Sequence, residues 1–347
     1  MELTLLWVQL ASAAGLILVA AHFMAKSVDH ISDATGIGKS FAGVVMLATA
    51  TSLPELGTGV SSIALVGGEM GVNLAAGDAF GSNLFNLLII ALLDIAWRKK
   101  PLLASVSRSA LLVGVLGMLI ISLAAGATLL YRVDTPTATW RISPMSIGIF
   151  CVFIASMYLI YMSDRRDQAE GAGAPVETNE PNGSLSRSIV IYFITAAIVV
   201  GSAVWLAKTG EHIAEEMNWS GSFVGTLFLA LSTSLPELAA SFAALRLGSP
   251  ELAITNVLGS NLFNMGFVLF LDDAALSGGT LWAKISNTHA ITGGAAVAMT
   301  VVVIVGIFAR KEKRQRLPVT PESALLILLY IAAMIFIMGG TLMRWHS

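Results

Sequence analysis

Apolar runs long enough to cross a bilayer recur along this whole chain, which leaves very few folds open to it. A spanning helix needs about 20 predominantly apolar residues. Ten runs approach that length, at 4–25, 40–66, 70–93, 109–130, 143–163, 188–208, 221–247, 250–271, 288–309 and 322–343. Asp, Glu, Lys and Arg make up only 12% of the 347 residues, against roughly 25% in a soluble domain. In hydrocarbon every backbone N–H and C=O must be satisfied within the protein, so such runs become helices. The expected fold class is an all-α polytopic membrane protein with ten transmembrane helices. The first run has no basic leader and no small-residue cleavage site, and reads as a retained span. The single cysteine, Cys151, excludes an internal disulfide.

The basic residues orient the spans. With ten spans, alternate loops fall on alternate sides. One side collects fifteen Lys and Arg, including Lys26, Lys39, Arg98 to Lys100, Arg165, Arg166 and Arg310 to Arg316; the other has five: Arg132, Arg141, Lys208, Lys284 and Arg344. The positive-inside rule puts the richer side in the cytoplasm and both termini outside. Residues 164–187 are dense in Gly, Pro, Asn, Ser and charge and read as a cytoplasmic linker. The chain is thus expected to divide into 1–163 and 188–347, five helices each. A half with an odd number of spans ends opposite its start, so consecutive halves insert in opposite orientations. The organisation is that of an inverted repeat.

A duplicated sequence supports this division. KSFAGVVMLATATSLPEL, residues 39–56, matches GSFVGTLFLALSTSLPEL, residues 221–238, at eleven of eighteen positions. GSNLFN then follows in each half, at Gly81 to Asn86 and Gly259 to Asn264. Each copy of T-S-L-P-E-L sets a glutamate, Glu55 or Glu237, in apolar surroundings. A carboxylate at membrane depth is costly and points to function. No Lys or Arg lies within either glutamate-bearing repeat block after Lys39, so an intramembrane ion pair is not the expected partner.

The flanking residues suggest a hard cation. Proline removes a backbone donor and clashes with the carbonyl four residues back; those carbonyls belong to Ala50 for Pro54 and Ser232 for Pro236. Exposed carbonyls at membrane depth must face protein or a cavity. Thr51 and Glu55 are four apart and share a helix face, with Ala48 and Ser52 beside it. Thr233, Glu237, Ala230 and Ser234 repeat the pattern. Ser82 with Asn86, and Ser260 with Asn264, present a hydroxyl and an amide at the same spacing. Carboxylates, hydroxyls, amide oxygens and carbonyls are the ligands that hard cations take. The other use of such Ser, Thr and Asn residues is helix–helix hydrogen bonding. Gly43, Gly57, Gly59 and Gly225 read as close-packing positions.

On T-S-L-P-E and G-S-N, duplicated in order, the chain resembles the sodium/calcium exchanger branch of the calcium/cation antiporter superfamily, of prokaryotic type. The resemblance extends over all ten expected spans. It implies a central site with calcium and sodium positions, and antiport of Na+ for Ca2+ by alternating access. The implied calcium ligands are Glu55, Glu237, Thr51 and Thr233; the sodium positions add Ala48, Ser52, Ser82, Asn86, Ala230, Ser234, Ser260 and Asn264. It implies no cofactor, Ca2+ and Na+ as cargo, the lipid bilayer of the cell (plasma or inner) membrane as setting, a monomer sufficient for transport, and spans 1 and 6 as the moving part. Three departures stand out. Ala50 and Ser232 replace the family's usual Gly, Asn264 stands where many prokaryotic members have Asp, and Asp78 stands where the second half has Asn256. Asp78 is either a third site carboxylate or a hydrated interfacial group. Asp94, Asp272 and Asp273 read as peripheral, at span ends near water. The alternatives left open are a proton/calcium or other divalent-cation antiporter, and a cation channel. An enzyme is not expected: the spans hold no His cluster, Cys pair or nucleophile–base arrangement.

Overall fold

A computed structural model describes residues 3–97, 101–130, 142–171, 184–217, 230–309 and 319–343. Among these the regular structure is entirely helical. Seven helices are long and apolar enough to cross a membrane: α1 (Leu3–Thr35), α4 (Gly68–Ala96), α5 (Arg108–Leu130), α6 (Pro144–Gly171), α7 (Leu185–Glu216), α10 (Pro250–Ala275) and α11 (Thr288–Phe308). The remaining apolar segments are α2 (Lys39–Thr51), α3 (Leu53–Val66), α8 (Ala230–Thr233), α9 (Leu235–Arg246) and α12 (Pro321–Met343).

The run read as one span at 40–66 is two helices, α2 and α3, which meet at Ser52. The span read at 221–247 begins outside the described residues, and its described part is likewise two helices, α8 and α9, meeting at Ser234. Two other boundaries differ from expectation. Helix α6 continues to Gly171, through Asp164, Arg165, Arg166 and Asp167, into the segment read as linker. Helix α1 continues to Thr35, so Asp29, His30 and Asp33 are helical and not loop residues. There Lys39 bridges Asp29 and Asp33, each at 2.7 Å. Most of the basic residues that set the expected orientation, including Arg98 to Lys100 and Arg310 to Arg316, lie outside the described residues.

Burial sorts the helices into an inner and an outer set. The apolar windows of α10 and α4 are 83% and 72% buried, whereas that of α1 is 22% buried. Helices α1 and α7 pack along each other, and α1 also lies against α9. Their outward faces expose Leu5, Val8, Leu18, Val19 and Phe23 on α1 and Val190, Phe193 and Ile194 on α7. Apolar side chains arrayed this way, each about half exposed, suit a lipid surround, since full exposure of one to water costs about 1.5–3 kcal/mol. Inside, helices approach closely. A Cβ on Gly259 would lie 2.9 Å from the Val44 Cα, so α10 crosses α2 almost backbone to backbone. Small residues at crossings are how membrane helices gain packing contact.

The three aspartates read as peripheral are buried, and that reading is corrected. Asp94, at the end of α4, accepts from Leu102 N, Thr320 Oγ1 and Ser323 Oγ, each at 2.7 Å. Asp273, near the end of α10, accepts from Leu281 N at 2.6 Å and from Ser143 N and Ser146 Oγ at 2.7 Å. Each carboxylate thus pins the turn that follows its own helix and the start of a later or earlier one, α12 for Asp94 and α6 for Asp273. Burying an ion is tolerated where its acceptor positions are filled in this way.

Candidate cation-binding site

Both T-S-L-P-E segments break the helix at their serine, with nearly identical backbone geometry: Ser52 at φ −89°, ψ 5° and Ser234 at φ −87°, ψ 4°. Proline is the second residue of the helix that follows each break. Its fixed φ suits a helix start, where the missing N–H leaves nothing unmade. The ladder closes above and below the first break, with Ser52 N donating to Ala48 O at 2.9 Å and Leu56 N to Ser52 O at 3.2 Å. In the second half Leu238 N donates to Ser234 O, also at 3.2 Å. Each glutamate therefore sits in the first turn of a new helix, where the positive end of the backbone dipoles favours an anion.

The breaks bring the halves together by exchange. Ser52 Oγ donates to Glu237 Oε1 at 3.0 Å, and Ser234 Oγ donates to Glu55 Oε1 at 3.3 Å. Ser260 adds a second donor to Glu237 Oε1 at 3.3 Å. Thr51 Oγ1 lies 3.4 Å from Asn256 Oδ1, and Thr233 Oγ1 donates to Asp78 Oδ1 at 3.1 Å. Ser82 and Thr233 hydroxyls are 3.5 Å apart. Glu55, Glu237, Thr51, Ser52, Ser82, Ser234, Ser260, Asn86 and Asn264 are all fully buried, with Thr233 and Asp78 nearly so. Ala48 is buried beside them and spends its carbonyl on Ser52 N. Ala230 opens α8 at the edge of the described residues. Asp78 therefore belongs with the buried site residues and is not a hydrated interfacial group.

Two residues were missed by sequence reasoning. Asn83 and Asn261 sit one place after Ser82 and Ser260 in the G-S-N blocks. Asn83 Nδ2 donates to Asn261 O at 3.3 Å, and Asn261 Nδ2 to Asn83 O at 3.2 Å. Their side-chain oxygens take the amides of the site residues: Asn86 Nδ2 donates to Asn261 Oδ1 at 3.0 Å and Asn264 Nδ2 to Asn83 Oδ1 at 3.3 Å. This four-asparagine clasp holds the nitrogen end of Asn86 and Asn264 and leaves their oxygens without a partner. The signal was present in G-S-N itself, but the four-residue spacing favoured its neighbours.

Among the described residues, seven buried carboxylate and amide oxygens lack a hydrogen-bond donor: Glu55 Oε2, Glu237 Oε2, Asp78 Oδ2, Asn86 Oδ1, Asn264 Oδ1 and both oxygens of Asp272. Every one is an acceptor, and leaving buried acceptors unmade costs about 1–3 kcal/mol each, more for charged groups. Hard cations bind oxygen sets of this kind. Among the described residues no three His, Cys, Asp or Glu side chains converge as a conventional metal centre. The arrangement is two glutamates framed by hydroxyl and amide oxygens. As for the glycines, Gly43 packs on Thr255 and Gly59 on Asp272 as expected of close-packing positions, whereas a Cβ on Gly57 would meet nothing within 4 Å; Gly225 lies outside the described residues.

Comparison with known proteins bears on the family and the fold. The profile of the family described as "Sodium/calcium exchanger protein" matches residues 5–160 and 187–339. The inner membrane protein YrbG of Escherichia coli K12 is 30% identical over 253 residues, covering 68% of this chain and 69% of that protein. The sodium/calcium exchanger MaX1 of Methanosarcina acetivorans is 32% identical over 89 residues, 26% of this chain and 25% of that protein. The solved structure of the sodium-calcium exchanger NCX_Mj, soaked with 10 mM Na+ and zero Ca2+, superposes with a TM-score of 0.72 at 20% identity, over 96% of this chain and 99% of that one. At that identity the likeness speaks to the fold alone.

Proposed function

The chain belongs to the sodium/calcium exchanger protein family, and from that premise we propose that it is an antiporter that exchanges Na+ for Ca2+ at the Glu55–Glu237 site by alternating access. The observation that carries the proposal is the crossed pair of bonds, Ser52 to Glu237 and Ser234 to Glu55, which joins two glutamates with unmet oxygens into one site. Two carboxylates neutralise one divalent cation or two monovalent ones, so either load offsets the same buried charge. An emptied site leaves that charge uncompensated in a medium where it is expensive. Crossing without cargo is thereby disfavoured, and flux in one direction is tied to flux in the other.

The frame around the site is two inverted five-helix repeats, residues 1–163 and 188–347, with both termini outside and the connecting segment cytoplasmic. Three sets of paired contacts support the two-fold relation: the crossed serine–glutamate bonds, the asparagine clasp, and the matching anchors at Asp94 and Asp273. Helices α1 and α7, apolar outside and packed mainly on each other, are the mobile pair that slides over the buried α4–α10 core. One chain contains the whole site, so a monomer suffices.

The test is uptake of radioactive calcium into sodium-loaded proteoliposomes. Sodium-dependent uptake by wild type, and its loss in Glu55→Gln and Glu237→Gln, are expected. Undiminished uptake in both variants would sink the site. Uptake indifferent to sodium and driven by a pH gradient would move the assignment to proton coupling.

A further inference from the structure

The two halves differ one helical turn beyond their glutamates. In the second half the position one turn after Glu237 is Ser241, and Asn256 Nδ2 donates to its hydroxyl at 2.8 Å and to Glu237 O at 3.3 Å. Asn256 is neutral, and this side is closed by hydrogen bonds. In the first half the equivalents of Ser241 and Asn256 are Gly59 and Asp78. The glycine has no side chain to offer Asp78, and a carboxylate fills its space: a Cβ on Gly59 would lie 2.6 Å from Asp272 Oδ1 and 2.7 Å from Oδ2.

Asp272 has no counterpart of its own. By count from G-S-N it aligns with Asp94, since each lies thirteen residues past the block's glycine. By contacts the counterpart of Asp94 is Asp273, because each accepts from the backbone N–H eight residues on. The discrepancy of one residue arises in α10, which widens into a π turn at Asn264–Val268, whereas α4 is α-helical throughout. A π turn accommodates one extra residue. The extra residue moves Asp273 into the anchoring position and turns Asp272 inward. There Asp272 is fully buried, neither of its oxygens has a hydrogen-bond donor, and its turn packs on both α3, which carries Gly59, and α4, which carries Asp78, whose Oδ2 is also unpartnered.

We infer that Asp78 and Asp272 form a second divalent-cation position against Gly59, one helical turn beyond Glu55 and adjoining the Glu55–Glu237 site, with Asp78 on the boundary between the two. Three unpartnered carboxylate oxygens on two acids match the charge of one calcium ion. Thr233, which donates to Asp78 and precedes Ser234, links the two positions. The second half has no such position, so the equivalent places one turn beyond the two glutamates are charged in the first half and neutral in the second. The inference rests on the cation reading of the central site, and its test separates the two.

Equilibrium binding of radioactive calcium to the detergent-solubilised full chain in sodium-free buffer counts the positions. Wild type is expected to bind two ions per chain. Asp272→Asn is expected to bind one, as is the Glu55→Gln, Glu237→Gln double variant. Asp272→Asn keeps the shape and removes an unpartnered charge, so its melting temperature in calcium-free buffer serves as the folding check and should not fall. Gly59→Ala, which displaces the Asp272 carboxylate, is expected to weaken the second binding step at least tenfold while keeping the first. A wild-type count of one, or a count that Asp272→Asn and Gly59→Ala both leave unchanged, overturns the second position and leaves the transport reading standing. No calcium binding by wild type overturns both.

Discussion

At the scale of single residues the site works by division of labour between donors and acceptors. Ser52 and Ser234 each spend a hydroxyl on the opposite half's glutamate. Hydrogen bonds to charged groups contribute about 1.5–3 kcal/mol. Ser52→Ala is therefore expected to weaken calcium binding by about tenfold or more, as is Ser234→Ala; isothermal titration of the two single variants and the double variant measures their coupling. Additive losses would show that the two bonds are independent. The asparagine clasp makes a different prediction. Asn83→Ala releases the Asn264 amide and Asn261→Ala releases that of Asn86, so each is expected to lower affinity although neither residue offers an oxygen to the cation. Unchanged affinity in both would confine the clasp to packing. That the site residues would share one buried cluster was legible from T-S-L-P-E and from the i, i+4 spacing of Ser82 and Asn86. The clasp was not, because which way an amide points depends on a partner from the other half, nearly 180 residues away.

At the scale of elements, interrupted helices set the chemistry. The breaks at Ser52 and Ser234 place each glutamate at the head of a helix, and Pro54 and Pro236 fix where the break falls. Replacing either proline by Ala restores a donor and the option of a continuous helix. The expected outcome is reduced sodium-dependent calcium uptake with the protein still folded, checked by uptake against the melting temperature. The crossing of α10 over α2 is less forgiving. A side chain at Gly259 meets the Val44 backbone, which cannot retreat, and overpacking costs about 1–3 kcal/mol or more. Gly259→Val is expected to lower the melting temperature in detergent, whereas Gly57→Ala, with open space around it, should not. Proline made the breaks foreseeable. The π turn at Asn264–Val268 was not, since no residue pattern announces it, and that one extra residue decides that Asp273, and not Asp272, is the anchor.

At the scale of the whole molecule, two sodium ions for one calcium is electroneutral exchange; if three exchange for one, one net charge moves per cycle. The membrane potential then contributes about 2.3 kcal/mol per 100 mV to the driving force. Imposing a potassium diffusion potential across proteoliposomes is expected to change the rate of sodium-driven calcium uptake with its sign; a rate blind to the potential would indicate electroneutral exchange. The helical membrane class and the pairing of halves could be read from apolar runs, loop charge and the duplicated blocks, because those depend on composition and spacing. Run length alone could not reveal that the central runs are split, or that α6 carries its helix well past the apolar stretch. The crossed serine–glutamate bonds have a further consequence. Neither half can complete the crossed pair by itself, yet what each lacks is what the other supplies. The two halves, made as separate polypeptides in one cell, should find each other in the bilayer and restore exchange, and either half produced alone should be cleared as an unassembled fragment.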